Sequence, residues 1–175
     1  MVKFIGVALV LFAGTMIGFV QAARYAARPR QIRLLLHALQ RLETEIGYGQ
    51  TPLPQALDRI AAVITMPVSR MFGDIAAQLR AESAGTGLTV KDVWERVVTD
   101  RWPDTSMRAP EQEAMLRLGH VLGASGRDDQ LKHIRLAMAQ LQAEEASARE
   151  DQMRYEKLSR SLGVLGAALI VILIV

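Results

Sequence analysis

Uncharged apolar residues are concentrated at the two ends of this chain. The run from Phe4 to Ala23 holds 20 residues without a charge, and the run from Ser161 to Val175 holds 15 more. At 1.5 Å per residue the first run forms a helix of about 30 Å, which matches the hydrocarbon thickness of a bilayer. The second gives about 22 Å, and ten of its last fourteen residues are Leu, Ile or Val. We therefore predict membrane segments at 1–23 and 161–175, with a separate domain at 24–160.

Basic residues flank both apolar runs on the side of the intervening domain. Those after the first run are Arg24, Arg28, Arg30 and Arg33, and those before the second are Arg149, Arg154, Lys157 and Arg160. Lys3 alone lies on the other side. Because translocation of Lys and Arg is disfavoured, we predict that the domain is cytoplasmic and that the arginines contact lipid headgroups.

A secretory signal peptide is the competing interpretation of the first run. Val20-Gln21-Ala22 is an acceptable small-residue cleavage site. This interpretation requires four arginines to cross the membrane within ten residues. The balance of charge therefore favours a retained anchor.

Between the two runs, apolar residues recur at steps of three and four, which is typical of amphipathic helices. Predicted breaks fall at Gly47 to Gly49, Met66-Pro67, Ser83 to Gly87, Trp102-Pro103 and Ser125-Gly126. The stripes are Ile32, Leu35, Leu39, Leu42 and Ile46; Leu53, Leu57, Ile60 and Ile64; Val68, Met71, Phe72, Ile75 and Leu79; Val90, Val93, Trp94 and Val97; Met115, Leu118, Val121 and Leu122; and Leu131, Ile134, Met138 and Leu141.

These stripes predict six helices and an all-α fold. Pro29 suits the first turn of the first helix, and Thr89 with Asp92 forms a capping pattern at the fourth. The sixth, from Asp128 to Arg160, is predicted to be continuous and about 50 Å long. Short loops between the helices favour a compact bundle. The predicted architecture is a six-helix bundle between an N-terminal and a C-terminal transmembrane helix.

Charge and composition argue against nucleic acid as a partner. From Leu34 to Ala148 there are 12 Lys and Arg against 15 Asp and Glu, a net charge of −3. A DNA-binding face requires a basic patch, which this stretch lacks. There is no Cys, so disulfides and thiolate metal sites are excluded.

No catalytic pattern emerges from the remaining polar residues. His37, His120 and His133 are scattered over three predicted helices, and no Gly-Lys-Ser/Thr follows Gly85-Thr86-Gly87. Glu43 and Glu45 are two residues apart on a helix and so point to different sides. We therefore predict no catalytic residue, metal, cofactor or small-molecule substrate, and a protein that is not an enzyme.

Two sets of residues are candidates for contacts with partners. The sixth predicted helix is charged on all sides near its end, which favours a docking surface at Glu144, Glu145, Glu150 and Asp151. Within the membrane segments, small residues four apart permit close helix packing, and the candidates are Gly14, Gly18 and Gly163. A lipid-facing position for these glycines is the alternative.

Several motifs along the chain resemble those of the stage III sporulation protein AB family. The motifs are Arg28-Pro29-Arg30-Gln31-Ile32-Arg33; Ala38-Leu39-Gln40-Arg41-Leu42-Glu43-Thr44-Glu45-Ile46; Tyr48; Thr51-Pro52-Leu53; Trp102-Pro103; Leu118-Gly119; Leu122-Gly123; Tyr155-Glu156-Lys157; and Ser161-Leu162-Gly163-Val164-Leu165. The resemblance covers essentially the whole chain, although the segment from Ala81 to Val90 is richer in Gly and Thr than expected.

The resemblance implies a role in endospore formation. The other proteins of the operon build a channel complex between mother cell and forespore, and this family's helical domain is similar to that of the platform protein F of type II secretion. The resemblance thus implies a non-enzymatic platform in the mother-cell membrane around the forespore, with a cytoplasmic central domain facing the operon's ATPase, stage III sporulation protein AA. Platform proteins carry two such domains, so a homodimer that supplies the second is expected.

A different class of function has the same architecture. A membrane-anchored helical adaptor or scaffold for a secretion, pilus or division complex unrelated to sporulation would also combine two anchors with an apolar-cored bundle. The residues alone leave this alternative open.

Overall fold

The computed structural model describes residues 2–49, 51–82 and 87–174, and within them the side chains of residues 23, 25–49, 51–81, 87–155 and 158. It is all-helical over that part of the chain. The helices are α1 (Val2–Tyr48), α2 (Leu53–Ala61), α3 (Val68–Glu82), α4 (Val90–Arg101), α5 (Ala109–Gly119) and α6 (Arg127–Ile174), with a 3₁₀ turn at Trp102–Asp104.

The core is formed by the apolar stripes that the sequence predicts. Every residue of the predicted α3 stripe is buried, as are most residues of the α1, α4 and α5 stripes and half of those in the α2 and α6 stripes. Phe72 and Trp94 meet edge to face with ring centroids 6.1 Å apart. The indole Nε1 of Trp94 donates to the Met115 carbonyl at 2.8 Å, so the largest core side chain is also hydrogen-bonded. These contacts join α3, α4 and α5.

Helices α1 and α6 lie side by side and run in opposite directions. Near one end of the bundle Arg135 on α6 pairs with Glu43 on α1 at 2.6 Å. Near the other end Tyr155 stacks on Tyr25. Positions on α6 therefore rise as positions on α1 fall. Residues before 25 and after 155 consequently leave the bundle from the same end.

Helix α1 corrects the prediction that a helix begins at Arg28-Pro29. The helix is continuous from Val2 to Tyr48, with Pro29 inside it. A proline costs an internal helix about 3 kcal/mol because it removes one backbone hydrogen bond. Tertiary contacts offset that cost, since Tyr25 and Arg33 contact α6 on either side of the proline.

Two other helices end before their predicted breaks. Helix α2 ends at Ala61, ahead of the break at Met66-Pro67, and α5 ends at Gly119, ahead of the break at Ser125-Gly126. The turns after α5 include Gly123 at a φ of +79°, a conformation that favours glycine. An added Cβ there would also lie 2.8 Å from a Val90 methyl group. Glycine at position 123 thus permits the close approach of the first residue of α4.

Helix α6 is continuous from Arg127, one residue before the predicted start, through Arg160. Among the residues whose side chains are described, no helix is long and apolar enough to cross a membrane. The segments 1–23 and 161–175 lie almost wholly outside that set, so their insertion stays a prediction.

Candidate functional site

A buried arginine lies where α1, α5 and α6 meet. Arg28 is 4 % exposed, and its guanidinium contacts carboxylates from both other helices. Its Nε donates to Glu111 Oε1 at 2.8 Å, and its Nη2 lies 2.6 Å from the same oxygen. The Glu111 side chain is fully buried. Arg28 and Glu111 therefore form an ion pair that is removed from water. We call this pair, together with its neighbours Arg108, Glu144 and Asp151, the Arg28 network.

Glu111 also organises the start of α5. Its Oε2 accepts a hydrogen bond from the backbone N–H of Arg108 at 2.9 Å, as the third helical residue does in a capping box. One carboxylate therefore fixes the first turn of α5 and, through its other oxygen, binds Arg28 on α1. The position of α5 is thereby tied to α1.

Helix α6 supplies two further carboxylates to Arg28. Glu144 Oε2 accepts from Nη2 at 3.0 Å, and Asp151 Oδ2 lies 3.7 Å from Nη1. Asp151 also pairs with Arg108 at 3.1 Å. Burial of these charges costs several kcal/mol per ion. The several ion pairs and hydrogen bonds around Arg28 are needed to offset that cost. Arg28 Nη1 nevertheless has no hydrogen-bond partner among the described atoms.

Two tyrosines extend the network towards the end of the bundle from which both chain ends leave. The rings of Tyr25 and Tyr155 stack with centroids 3.7 Å apart, and their two hydroxyl groups form a hydrogen bond of 2.9 Å. The Arg108 guanidinium lies 5.7 Å from the Tyr25 ring centroid. The hydrogen bond with Tyr25 and the charge that Tyr25 acquires on ionisation raise the pKa of Tyr155. The pair thus joins α1 to α6 beyond Asp151.

The four arginines predicted to lie near a membrane do not share one environment. Arg28 is buried in its network, so the interpretation of this residue as a headgroup contact is corrected. Arg30 is exposed, and Arg33 is half-exposed, 3.4 Å from Glu145. The side chain of Arg24 is outside the described residues.

The acidic surface predicted on α6 is largely engaged within the bundle. Glu144 and Asp151 bind Arg28, and Glu145 pairs with Arg33 and with Arg149 at 2.6 Å. Glu150 is exposed and has no partner among the described side chains. These three carboxylates therefore stabilise the α1–α6 pair, and Glu150 keeps a free carboxylate for a partner.

Sequence reasoning missed Arg108, Glu111 and Tyr25. The pattern Arg108-Ala109-Pro110-Glu111 carries a signal for helix capping, with Pro in the first turn and Glu at the third position. Its pairing with a residue 83 positions away is a tertiary contact that no local pattern reveals.

The remaining candidates are dispersed or lie beyond the described side chains. Glu43 and Glu45 pair with Arg135 and Arg59 respectively. Within the described side chains, no three His, Asp or Glu residues come together as metal ligands. The surroundings of Gly14, Gly18 and Gly163 lie outside the described side chains.

The family model for stage III sporulation protein AB matches residues 3–175. The chain belongs to this family. Stage III sporulation protein AB of Bacillus subtilis (strain 168) is 40 % identical over 174 residues, which are 99 % of each chain.

A solved structure of stage III sporulation protein AB has the same fold. It superposes with a TM-score of 0.68 at 40 % identity, covering 73 % of this chain and 98 % of the other. The expected resemblance is therefore confirmed. These matches favour a sporulation protein over the alternative interpretation, an adaptor unrelated to sporulation.

Proposed function

We propose that this protein is a non-enzymatic platform component of the channel complex between mother cell and forespore. In this proposal it lies in the mother-cell membrane around the forespore, with residues 24–160 in the mother-cell cytoplasm. It couples the ATPase, stage III sporulation protein AA, to the envelope assembly. Membership of the stage III sporulation protein AB family supports the role in sporulation.

The observation that carries the platform role is the connection between α1 and α6. Ion pairs and a ring stack join these helices from Glu43–Arg135 at one end to Tyr25–Tyr155 at the other. A displacement at the far end of the bundle would therefore move both helices together. Both continue towards the apolar ends of the chain, which supports transmission of force to a membrane assembly.

The exposed part of the acidic surface supports a contact with a protein partner. Glu150 projects from α6 close to the Arg28 network, where a bound partner would act directly on the helix pair. Reversal of all four acidic residues would break the bundle's own ion pairs. Glu150 alone is therefore the residue with which to test docking.

A homodimer would supply the second domain that platform proteins have in one chain. Gly14 and Gly18 are separated by one helical turn, a spacing that suits close packing of membrane helices. Since the chain has no Cys, Gly14→Cys and Gly18→Cys can be crosslinked in membranes without background. Dimers are expected at one of these positions, and monomer alone at both would exclude this arrangement.

Copurification from sporulating cells tests the proposed function. A strain lacking the gene is complemented with the tagged full chain, and both heat-resistant spores and ATPase retained on the solubilised protein are measured. We expect spore yield to be restored and the ATPase to copurify. Normal yield without the protein, or complementation without any retained ATPase, would contradict the proposal.

Glu150→Lys and Glu95→Lys separate the docking surface from charge alone. Both glutamates are exposed and lack a described ion pair, but Glu95 lies on α4. We expect Glu150→Lys to retain about tenfold less ATPase than Glu95→Lys at equal protein level. Equal retention of the ATPase by the two variants would show that Glu150 is not part of the contact. It would not contradict the platform role.

A further inference from the structure

An open groove of about 670 Å³ follows the outer face of α1, beside the loop between α2 and α3. Its apolar lining comes from Ala23, Ala26, Ala27, Leu34 and Met66. Its polar lining is Arg30, Gln31, Arg33, His37 and Thr65, with no carboxylate among them. A groove lined by both cationic and apolar side chains suits an amphipathic anion.

We propose that this groove binds the headgroup of an anionic glycerophospholipid from the membrane that anchors the chain. The proposal rests on the proposed function, which places the apolar run before Arg24 in that membrane. The phosphate lies between Arg30 and Arg33, and the glycerol and first acyl carbons lie against the alanines of α1.

The arginine side chains extend from α1 towards the depth of a headgroup. Arg30 lies about 10 Å and Arg33 about 15 Å beyond Ala23 along the helix axis, whereas the polar layer of a bilayer is about 5–7 Å thick on each side. Helical side chains lean towards the N-terminus, which here is the membrane side. Arg33 shows this direction, since its Nε donates back to the Pro29 carbonyl at 3.3 Å.

The charge of the groove is only partly neutralised from within the bundle. Arg30 has no carboxylate partner among the described side chains. Arg33 shares Glu145 with Arg149, so one carboxylate faces two guanidinium groups. An anion with phosphate geometry would complete both arginine environments.

The openness of the groove favours a membrane lipid over a dissolved anion. A site open to water holds a free phosphate weakly because the competing solvent is not excluded. A lipid is already confined to the same surface, which raises its effective concentration at the groove. Weak contacts to Arg30 and Arg33 are then sufficient for occupancy.

Lipid retention on the full chain tests the proposal. The purified protein in detergent micelles is mixed with equal phosphatidylglycerol and phosphatidylcholine, and bound lipids are counted by native mass spectrometry. We expect at least fivefold more phosphatidylglycerol than phosphatidylcholine on the wild-type chain. Excess glycerol 1-phosphate at millimolar concentration should not displace it.

Two matched pairs of variants locate the bound lipid. Met66→Glu places an acid on the groove wall, whereas Val63→Glu places one outside it; both residues are 58 % exposed. Arg30→Gln with Arg33→Gln is compared with Arg41→Gln and Arg70→Gln, which remove the same charge at exposed sites elsewhere. We expect retention to fall about fivefold in the groove variants and by less than 1.5-fold in the controls.

Three results would overturn the lipid site. These are equal retention of both lipids by the wild type, equal loss in groove and control variants, and displacement by glycerol 1-phosphate. A lipid-independent dimer that Met66→Glu dissociates would identify the groove as a protein interface instead. Failure of the proposed function is distinguishable, because it is measured by ATPase copurification and spore yield.

Discussion

The Arg28 guanidinium on α1 and the Glu111 carboxylate on α5 form a buried pair, with Nε and Nη2 at 2.8 and 2.6 Å from Oε1. Because Glu111 also caps α5, this pair connects the start of one helix to the middle of another. Glu144 and Asp151 add α6 to the same guanidinium. The Arg28 side chain therefore connects three helices, α1, α5 and α6.

Glu111→Gln is expected to lower the free energy of unfolding by about 3 kcal/mol, because it leaves Arg28 buried without its closest counter-charge. Thermal unfolding of the full chain in detergent micelles, followed by circular dichroism, measures the loss.

Glu113→Gln is the matched control for this change. Glu113 is on the same helix, but its side chain is 68 % exposed. We expect a change within about 0.5 kcal/mol there. Equal stability of the two variants would show that the Arg28 network contributes little to the fold.

Gly119→Ala is expected to destabilise the bundle by about 2 kcal/mol through overpacking. An added Cβ would lie 2.7 Å from Trp94 Cγ, against the largest side chain of the core. Urea unfolding of the full chain measures the effect.

Gly73→Ala should act in the opposite direction. Its added Cβ would meet Ala61 Cβ at an ordinary 3.7 Å, and alanine stabilises a helix interior by about 0.5–1 kcal/mol relative to glycine. A Gly119→Ala variant as stable as Gly73→Ala would contradict the close approach of α5 to Trp94.

Thr89→Ala is expected to cost about 1 kcal/mol at neutral pH through loss of the α4 cap. The Thr89 hydroxyl and backbone N–H donate to the Asp92 carboxylate at 2.7 and 2.9 Å, and these bonds lower the pKa of Asp92. Because the pKa of Asp92 is lower in the folded chain, its ionised carboxylate stabilises the fold at pH values above its ordinary pKa of 3.8. That stabilisation is lost as the pH falls through the pKa of the folded state.

The difference between wild type and Thr89→Ala should therefore be constant from about pH 7 to 5 and shrink below about pH 4. Carboxyl NMR titration should show the pKa of Asp92 moving up towards its ordinary value in the variant. Thr99→Ala, at an exposed position in α4, is the control; it should leave the pKa of Asp92 unchanged and stabilise the helix by up to about 0.7 kcal/mol, because alanine is the better helix former. An unchanged pKa of Asp92 in Thr89→Ala would exclude the hydroxyl as its cause.

Much of the fold follows from local patterns in the sequence. The stripe from Val68 to Leu79 predicts the buried face of α3, and Thr89 with Asp92 predicts the observed capping box. These signals are local because they depend on helical spacing and on side chains three residues apart. Family membership could also be predicted, since each motif that carries the resemblance is a short continuous stretch of sequence.

The candidate site could be predicted from the sequence only in part. Arg28 was noted for its position beside an apolar run, yet its burial depends on Glu111, which is distant in sequence. Pro29 favoured a helix start, but contacts of Tyr25 and Arg33 with α6 keep the helix continuous. In both cases tertiary pairing outweighs the local preference.

The placement of the bundle on the cytoplasmic side of the membrane is the central claim, and labelling of a single introduced cysteine tests it most directly. The chain has no Cys, and Tyr48 is 91 % exposed at the end of α1. Non-sporulating cells that produce Tyr48→Cys or Lys3→Cys, whose membrane faces the medium on its outer side, are treated with a membrane-impermeant maleimide before and after permeabilisation. The account predicts that Lys3→Cys is labelled in intact cells and Tyr48→Cys only after permeabilisation. Labelling of Tyr48→Cys in intact cells would contradict it.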